Sequence, residues 1–373
     1  MIKKTSFELI MSKHGNNIDC TLTRSPCQSM MVPKFSLPLN PQSSLRTIMA
    51  SFNNATAIAS KEKTTSEKFA EALFDIGFNV GLVLEPILKH FNLVERKGDA
   101  RLNLTIRPDK HTVKIPWELA ILTDEPDQLL CQRMNIGRTM EVENKEGFQD
   151  RLNAKTGSNE YNALIVGIDY KNCKPKSRLH FAQTDAKLVR RNLERFGKKN
   201  NLNVLPPLIG GNAKKEIIKN RFAEGITTFH FSGHGNLDTR VGEISLCKGK
   251  LSAKEVDKVL TESGKGAPAL SFMNACETCL QKPDRWGVYD WARVMANNGG
   301  RSLIGTFWSV QDKDATDFSI TFYRNFFQRG KTIGESVRIA RENVLAKGED
   351  SIFTWPAFVL YGPPNLRAND IIV

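Results

Sequence analysis

The strongest constraint on this chain is a change of rhythm after residue 160, where short apolar runs begin to alternate with amphipathic stretches. The runs 163–168, 203–209, 226–231, 269–275, 302–308 and 357–361 are too short for buried helices. Their near-continuous apolar character is that of strands covered on both faces. Between them Ala182, Ala186, Val189, Leu193 and Phe196 recur at steps of three and four, as do Ile333, Val337, Ala340 and Val344, so each set lies on one helix face. Alternating strands and helices predict an α/β fold with a mainly parallel central sheet and helices on both faces. Functional groups in such sheets collect just beyond the carboxyl ends of the strands.

The 373 residues leave room for a second compact unit ahead of this one. Between 66 and 91, Phe69, Leu73, Ile76, Val80, Leu84, Ile87 and Leu88 repeat at helical spacing, and Pro86 predicts a split into two helices. Leu102, Leu104 and Ile106 alternate as a strand, and IPWEL at 115–119 follows a polar turn. Residues 46–140 thus read as a first α/β half without an obvious nucleophile. Residues 1–45, rich in Ser, Pro, Asn and Thr, read as a flexible leader. The polar tract 141–160, EVENKEGFQDRLNAKTGSNE, reads as a linker, and 161–373 as the half that carries the chemistry.

Composition excludes several classes. With 40% hydrophobic and 25% charged residues the chain is neither disordered nor fibrous. The net charge of +13 gives a general attraction to anionic partners. Its basic residues are spread through 171–178 and 187–199 without an arginine-rich arm or a stacking motif, so specific nucleic-acid binding is not expected. Cysteines at 20, 27, 131, 173, 247, 276 and 279 are odd in number and irregular in spacing, which argues against a disulfide scaffold and for a reducing compartment, with at least one thiol outside any bridge. The opening apolar stretch is broken by Lys13 and His14, unlike a secretory signal, and no run approaches the roughly 20 apolar residues of a membrane span. A cytoplasmic protein without a membrane partner is expected.

Two strand ends carry the chemistry. The run 226–231 stops at SGHGN, placing His234 between two glycines that allow close backbone approach to a ligand. A histidine in a surface turn would look the same. The run 269–275 ends in NAC, delivering Cys276 to the same sheet edge. Alone it would read as a small apolar filler, but an imidazole beside it would lower the thiol pKa and take up its proton. Backbone N–H groups of Cys276 and Gly235 are candidate donors to a developing oxyanion. A zinc set of His230, His234, Cys276 and Cys279 is the rival, weakened because positions four apart on a strand lie about 13 Å from each other. No cofactor or metal is called for.

The segments SGHG at 232–235, NACET at 274–278 and GGRSLIGTFWSVQD at 299–312 together resemble the CHAT domain, a bacterial branch of the caspase-like peptidases. TIGESVRIAR at 332–341, WPAFVLYGPP at 355–364, IPWELA at 115–120 and Gly137-Arg138 extend the likeness over about residues 65–365. The resemblance implies a caspase-haemoglobinase-like fold, His234 as base, Cys276 as nucleophile, and a first half that is a degenerate, non-catalytic pseudo-caspase-like copy. It also implies a protein substrate and a setting in bacterial immunity or programmed cell death, often CRISPR-linked or gasdermin-linked. Cys279 departs from the family pattern, which has glycine there.

Around the same sheet edge Asp169, Asn274, Glu277 and Asp312 are candidates for substrate binding, and an acidic pocket would favour cleavage after Arg or Lys. Asp169 and Asp312 are equally suited to helix capping. Loops 141–160 and 280–288 are exposed and partly basic, so the chain is expected to be a zymogen cut in one of them by an upstream activating protease or released by a protein partner. The alternative to a peptidase is a catalytically silent module that binds partners or nucleic acid.

Overall fold

The computed structural model describes residues 6–25, 34–39, 45–59, 64–94, 102–139, 161–171, 173, 177–200, 202–236, 242–276 and 287–372. The chain divides into one unit formed by Met1–Glu141 with Gly362–Asn365, and a second formed by Val142–Tyr361 with Leu366–Val373.

In the first unit β1 (Ser6–His14) and β2 (Asn17–Ser25) form a hairpin, with β3 (Phe35–Pro38) on the far side of β2. This corrects the expectation of a flexible leader. The sequence there is polar overall, but Phe7, Leu9 and Met11 alternate on β1 and Ile18, Cys20 and Leu22 on β2, and all six are buried. Gly15, at φ +58°, makes the turn between them. β1 then pairs in parallel with β4 (Asn103–Pro108), and β4 in parallel with β7 (Asn135–Arg138). A small hairpin, β5 (Ile121–Leu122) with β6 (Glu125–Leu129), precedes β7.

Two helices, Leu45–Ala59 and Ser66–His90, pack on each other. The second runs unbroken through Pro86, contrary to the expected split. Proline at this position removes only the donor to the carbonyl of Leu82, a residue on the exposed face of the last turns, where water can replace it.

The second unit follows the sequence pattern closely. β8 (Tyr161–Gly167), β11 (Thr228–Asn236), β14 (Leu270–Cys276) and β15 (Ser302–Thr306) are parallel neighbours in that order, and β16 (Phe358–Tyr361) pairs antiparallel with β15. The expected strand at 203–209 is two short pieces, β9 (Leu202–Val204) and β10 (Leu208–Ile209), both on the outer flank of β8. Pro206 and Pro207 lie between them and supply no ladder donor. A second hairpin, β12 (Glu243–Ser245) with β13 (Lys250–Ser252), is joined to the end of β11.

Helix Ala182–Asn200 packs with Asp312–Tyr323, which in turn packs with Ile333–Leu345. Helices Lys215–Glu224, Ala253–Ser263 and Gly287–Asn297 form a separate packed series. The residues that share a face by spacing, Ala182, Ala186, Val189, Leu193 and Phe196, are all buried, as are Ile333, Val337, Ala340 and Val344. None of the described helices is long and apolar enough to cross a membrane.

Candidate active site

β11 and β14 run side by side in register from Thr228↔Leu270 through His230↔Phe272 and Ser232↔Asn274 to His234↔Cys276. Neighbouring strands lie about 4.8 Å apart, and in-register positions share a face. His234 and Cys276 are therefore the outermost of a column of paired positions. β11 continues to Asn236, so His234 lies within the strand and not, as expected, just past its end. The extension arises because β12 pairs with β11 at Gly235↔Ile244 and Asn236↔Glu243.

One step inward the column is locked by a buried polar cluster. Asp185, on the helix Ala182–Asn200, accepts from His230 Nε2 at 3.2 Å and from the Asn274 amide at 2.9 Å. Its other oxygen accepts from the Ser319 hydroxyl. The Tyr323 hydroxyl lies 3.3 Å from His230 Nδ1, and since Nε2 donates to the carboxylate, the phenol donates to Nδ1. Burial raises the Tyr323 pKa well above its ordinary value, which keeps that proton in place. Asp185, His230 and Ser319 are fully buried. The cluster ties both strands to the helices beneath them.

His234 is half-buried. Its Nε2 lies 2.8 Å from the Ser177 carbonyl and 3.3 Å from the Ser177 hydroxyl. A carbonyl only accepts, so Nε2 carries the proton and Nδ1 is the unprotonated nitrogen of the neutral ring. The His234 backbone N–H donates to the Tyr170 hydroxyl at 2.8 Å, and the two rings lie 4.6 Å apart. The Tyr170 hydroxyl donates in turn to the Ser245 carbonyl at 2.7 Å.

Close by, Cys173 and Cys247 form a disulfide. This corrects the expectation drawn from cysteine count, because spacing in sequence does not reveal that the two loops meet. Cys20 and Cys131 are buried thiols outside any disulfide.

The expected substrate residues fare differently. Asn274 is buried with its amide on Asp185, so it braces the strand pair and does not line an open cleft. Asp169 is half-buried just after β8, its carbonyl accepting from the Leu179 N–H at 3.0 Å. Asp312 begins its helix and accepts the Phe181 N–H at 2.8 Å; burial pushes its carboxyl upward from the ordinary value. Both acids thus hold the 177–181 segment that carries the Ser177 carbonyl. Gly235 is buried opposite Ile244. Glu277, Cys279, the 141–160 tract and residues 280–286 lie outside the described residues. The rival zinc set loses His230 to Asp185 and Tyr323.

Sequence reasoning missed Tyr170, Ser177 and Asp185. Only Asp185 left a trace, as an acid on the otherwise apolar helix face between Ala182 and Ala186.

A parallel sheet ending in a histidine and a cysteine on adjacent strands is the architecture of the caspase-like cysteine proteases, and solved members of that class share the fold. Gingipain R, an Arg-specific cysteine proteinase, is 11% identical, covering 79% of this chain and 69% of its own, with a TM-score of 0.53. The Porphyromonas gingivalis complex of its pro- and mature domains gives 12% identity, 79% and 70% coverage, and a TM-score of 0.51. Separase of Saccharomyces cerevisiae, in complex with securin, is 12% identical and covers 96% of this chain at a TM-score of 0.56, the match taking in 30% of separase itself.

The CHAT domain model matches residues 67–363, and the chain belongs to that family. No curated protein matches it by sequence.

Proposed function

We propose that this protein is a cysteine endopeptidase in which His234 is the base and Cys276 the nucleophile. The reading is carried by one observation, the in-register pairing of those two residues at the end of the β11–β14 ladder. With Nε2 bound to Ser177, His234 Nδ1 takes the thiol proton of Cys276. The thiolate adds to the scissile carbonyl carbon, forming the S–C bond as the carbonyl electron pair moves to oxygen. That oxygen is held by backbone N–H groups, for which Cys276 and Gly235 are the candidates. Collapse of the intermediate breaks the C–N bond, and the imidazolium gives its proton to the leaving amine. Water, deprotonated by the same imidazole, then hydrolyses the thioester and restores the thiol.

The substrate is a protein partner, cut after a basic residue. Asp169 and Asp312, both anchored to the 177–181 segment beside His234, are the acidic groups proposed to select it, with Glu277 as a further candidate. A zymogen acting in a bacterial defence or cell-death pathway completes the proposal; the setting is drawn from family membership, and maturation within 141–160 or 280–288 from the partly basic, turn-rich sequence of those segments.

The test incubates wild type and Cys276→Ala with proteins encoded beside this one and maps new chain termini by mass spectrometry. Cleavage by the wild type alone, after Lys or Arg, is the expected outcome. Equal cleavage by the two removes the proposal, and an uncut wild-type chain in the active sample removes the zymogen.

A further inference from the structure

We propose that Tyr170 is a positioning residue for His234, braced by the Cys173–Cys247 disulfide; the proposal rests on the peptidase reading above. Tyr170 sits beyond the end of β8 at φ +55°, a left-handed conformation that costs a non-glycine residue free energy and is tolerated where the surroundings fix it. Its side chain is buried, and its hydroxyl is engaged at both ends by backbone: it accepts from His234 N–H and donates to the Ser245 carbonyl. A tyrosine that served packing alone would need one partner of any kind. Here the phenol connects the strand bearing the imidazole to the β12–β13 hairpin while its ring lies against the imidazole itself.

Gly233 makes this approach possible. A Cβ at that position would stand 2.8 Å from the Tyr170 hydroxyl and 2.7 Å from the Phe231 ring, closer than real contacts allow. The disulfide repeats the connection a few residues on. Cys173 donates its N–H to the Tyr170 carbonyl at 3.1 Å, and its sulfur is bonded to Cys247, just past Ser245 on the same hairpin turn. Two segments are thus joined twice, by a phenol and by a covalent bridge. The segment tied down in this way also leads to Ser177, whose carbonyl holds the imidazole Nε2. The brace holds His234 through its backbone N–H and through the face of its ring.

The test needs no substrate. Alkylation of Cys276 by iodoacetamide is followed against pH in the full-length protein, with fragmentation mass spectrometry separating Cys276 from Cys279. A well-placed imidazole makes the thiolate available below the ordinary thiol range, so the wild-type midpoint should be low and should rise in His234→Ala. Tyr170→Phe keeps the ring and removes the hydroxyl. It should move the midpoint up by about one pH unit, slowing alkylation near neutral pH about tenfold, with the thermal midpoint held within about 4 °C. The Cys173→Ser/Cys247→Ser double variant should move it the same way by less.

A Tyr170→Phe profile that overlays the wild type overturns the proposal while leaving the dyad intact. A wild-type midpoint in the ordinary thiol range, unmoved by His234→Ala, defeats the dyad and this role with it. Should Tyr170→Phe fail to fold, the double variant reads the same brace from its other end, and no shift there overturns the proposal.

Discussion

Both units are built on parallel ladders, β1–β4–β7 in the first and β8–β11–β14–β15 in the second, yet they dispose of their buried polar groups in opposite ways. In the first, Arg138 at the end of β7 is 1% exposed and fully committed: Nε donates to Glu118 at 2.6 Å, Nη1 to the Val113 carbonyl at 2.8 Å, and Nη2 to the Ile115 carbonyl at 2.7 Å and to Glu118. Asn135 and Asn103 similarly close on each other at 3.0 Å. In the second unit the inward cluster around Asp185 is closed too, but the end of the ladder carries a half-buried imidazole whose Nε2 is bound to the Ser177 carbonyl. The first ladder end is spent on architecture, whereas the second sets an imidazole in register with a cysteine.

The contrast can be broken or sharpened by substitution. Glu118→Gln strands a buried guanidinium and should cost the protein about 3–5 kcal/mol, read by denaturant unfolding. An Arg138→Met/Glu118→Leu double variant should recover most of that loss, as expected for a pair whose role is architectural. Asp185→Asn keeps the shape but weakens the bonds to His230, Asn274 and Ser319, at a cost of about 2 kcal/mol. Its Cys276 alkylation profile should also drift toward that of an ordinary thiol, and an unchanged profile would separate the cluster from the site.

Gly233→Ala forces a methyl against Tyr170 and Phe231 for about 1–3 kcal/mol, whereas Gly264→Ala, at a left-handed helix cap with open space around it, reports strain without a clash. The last effect is confined to alkaline pH. Burial, with Asp19 adding to it, pushes the Cys20 thiol up to about 12, so it stays protonated in the folded protein after the unfolded chain has ionised. Stability should therefore decline as pH rises from the ordinary thiol range toward 12, and Cys20→Val should flatten that part of the pH–stability curve.

Much of the second unit was legible because a strand covered on both faces leaves an unmistakable run of apolar residues, and because NAC and SGHG stand at the ends of two such runs. What stayed hidden depended on distance in the chain. Tyr170 reaches Ser245, and Cys173 reaches Cys247, through loops whose meeting no local spacing encodes. Asn274 shows the same limit: it stands two residues before Cys276 on the same strand face, and only the fold shows that its amide is spent on Asp185. In the first unit composition outweighed period. A Ser- and Thr-rich stretch looked unstructured, although alternate residues of β1 and β2 carried the core.

The placement of β1 has a practical consequence for anyone trimming this protein. The family match begins at residue 67, and a fragment cut there would lack β1, β2 and β3. β1 is the strand that caps β4 along its whole length, from Ser6↔Asn103 to Met11↔Pro108. Such a fragment would present a bare row of β4 amides and carbonyls to its neighbours, the template on which chains aggregate. Poor solubility of a minimal domain would then report a missing strand and say nothing about the proposed activity.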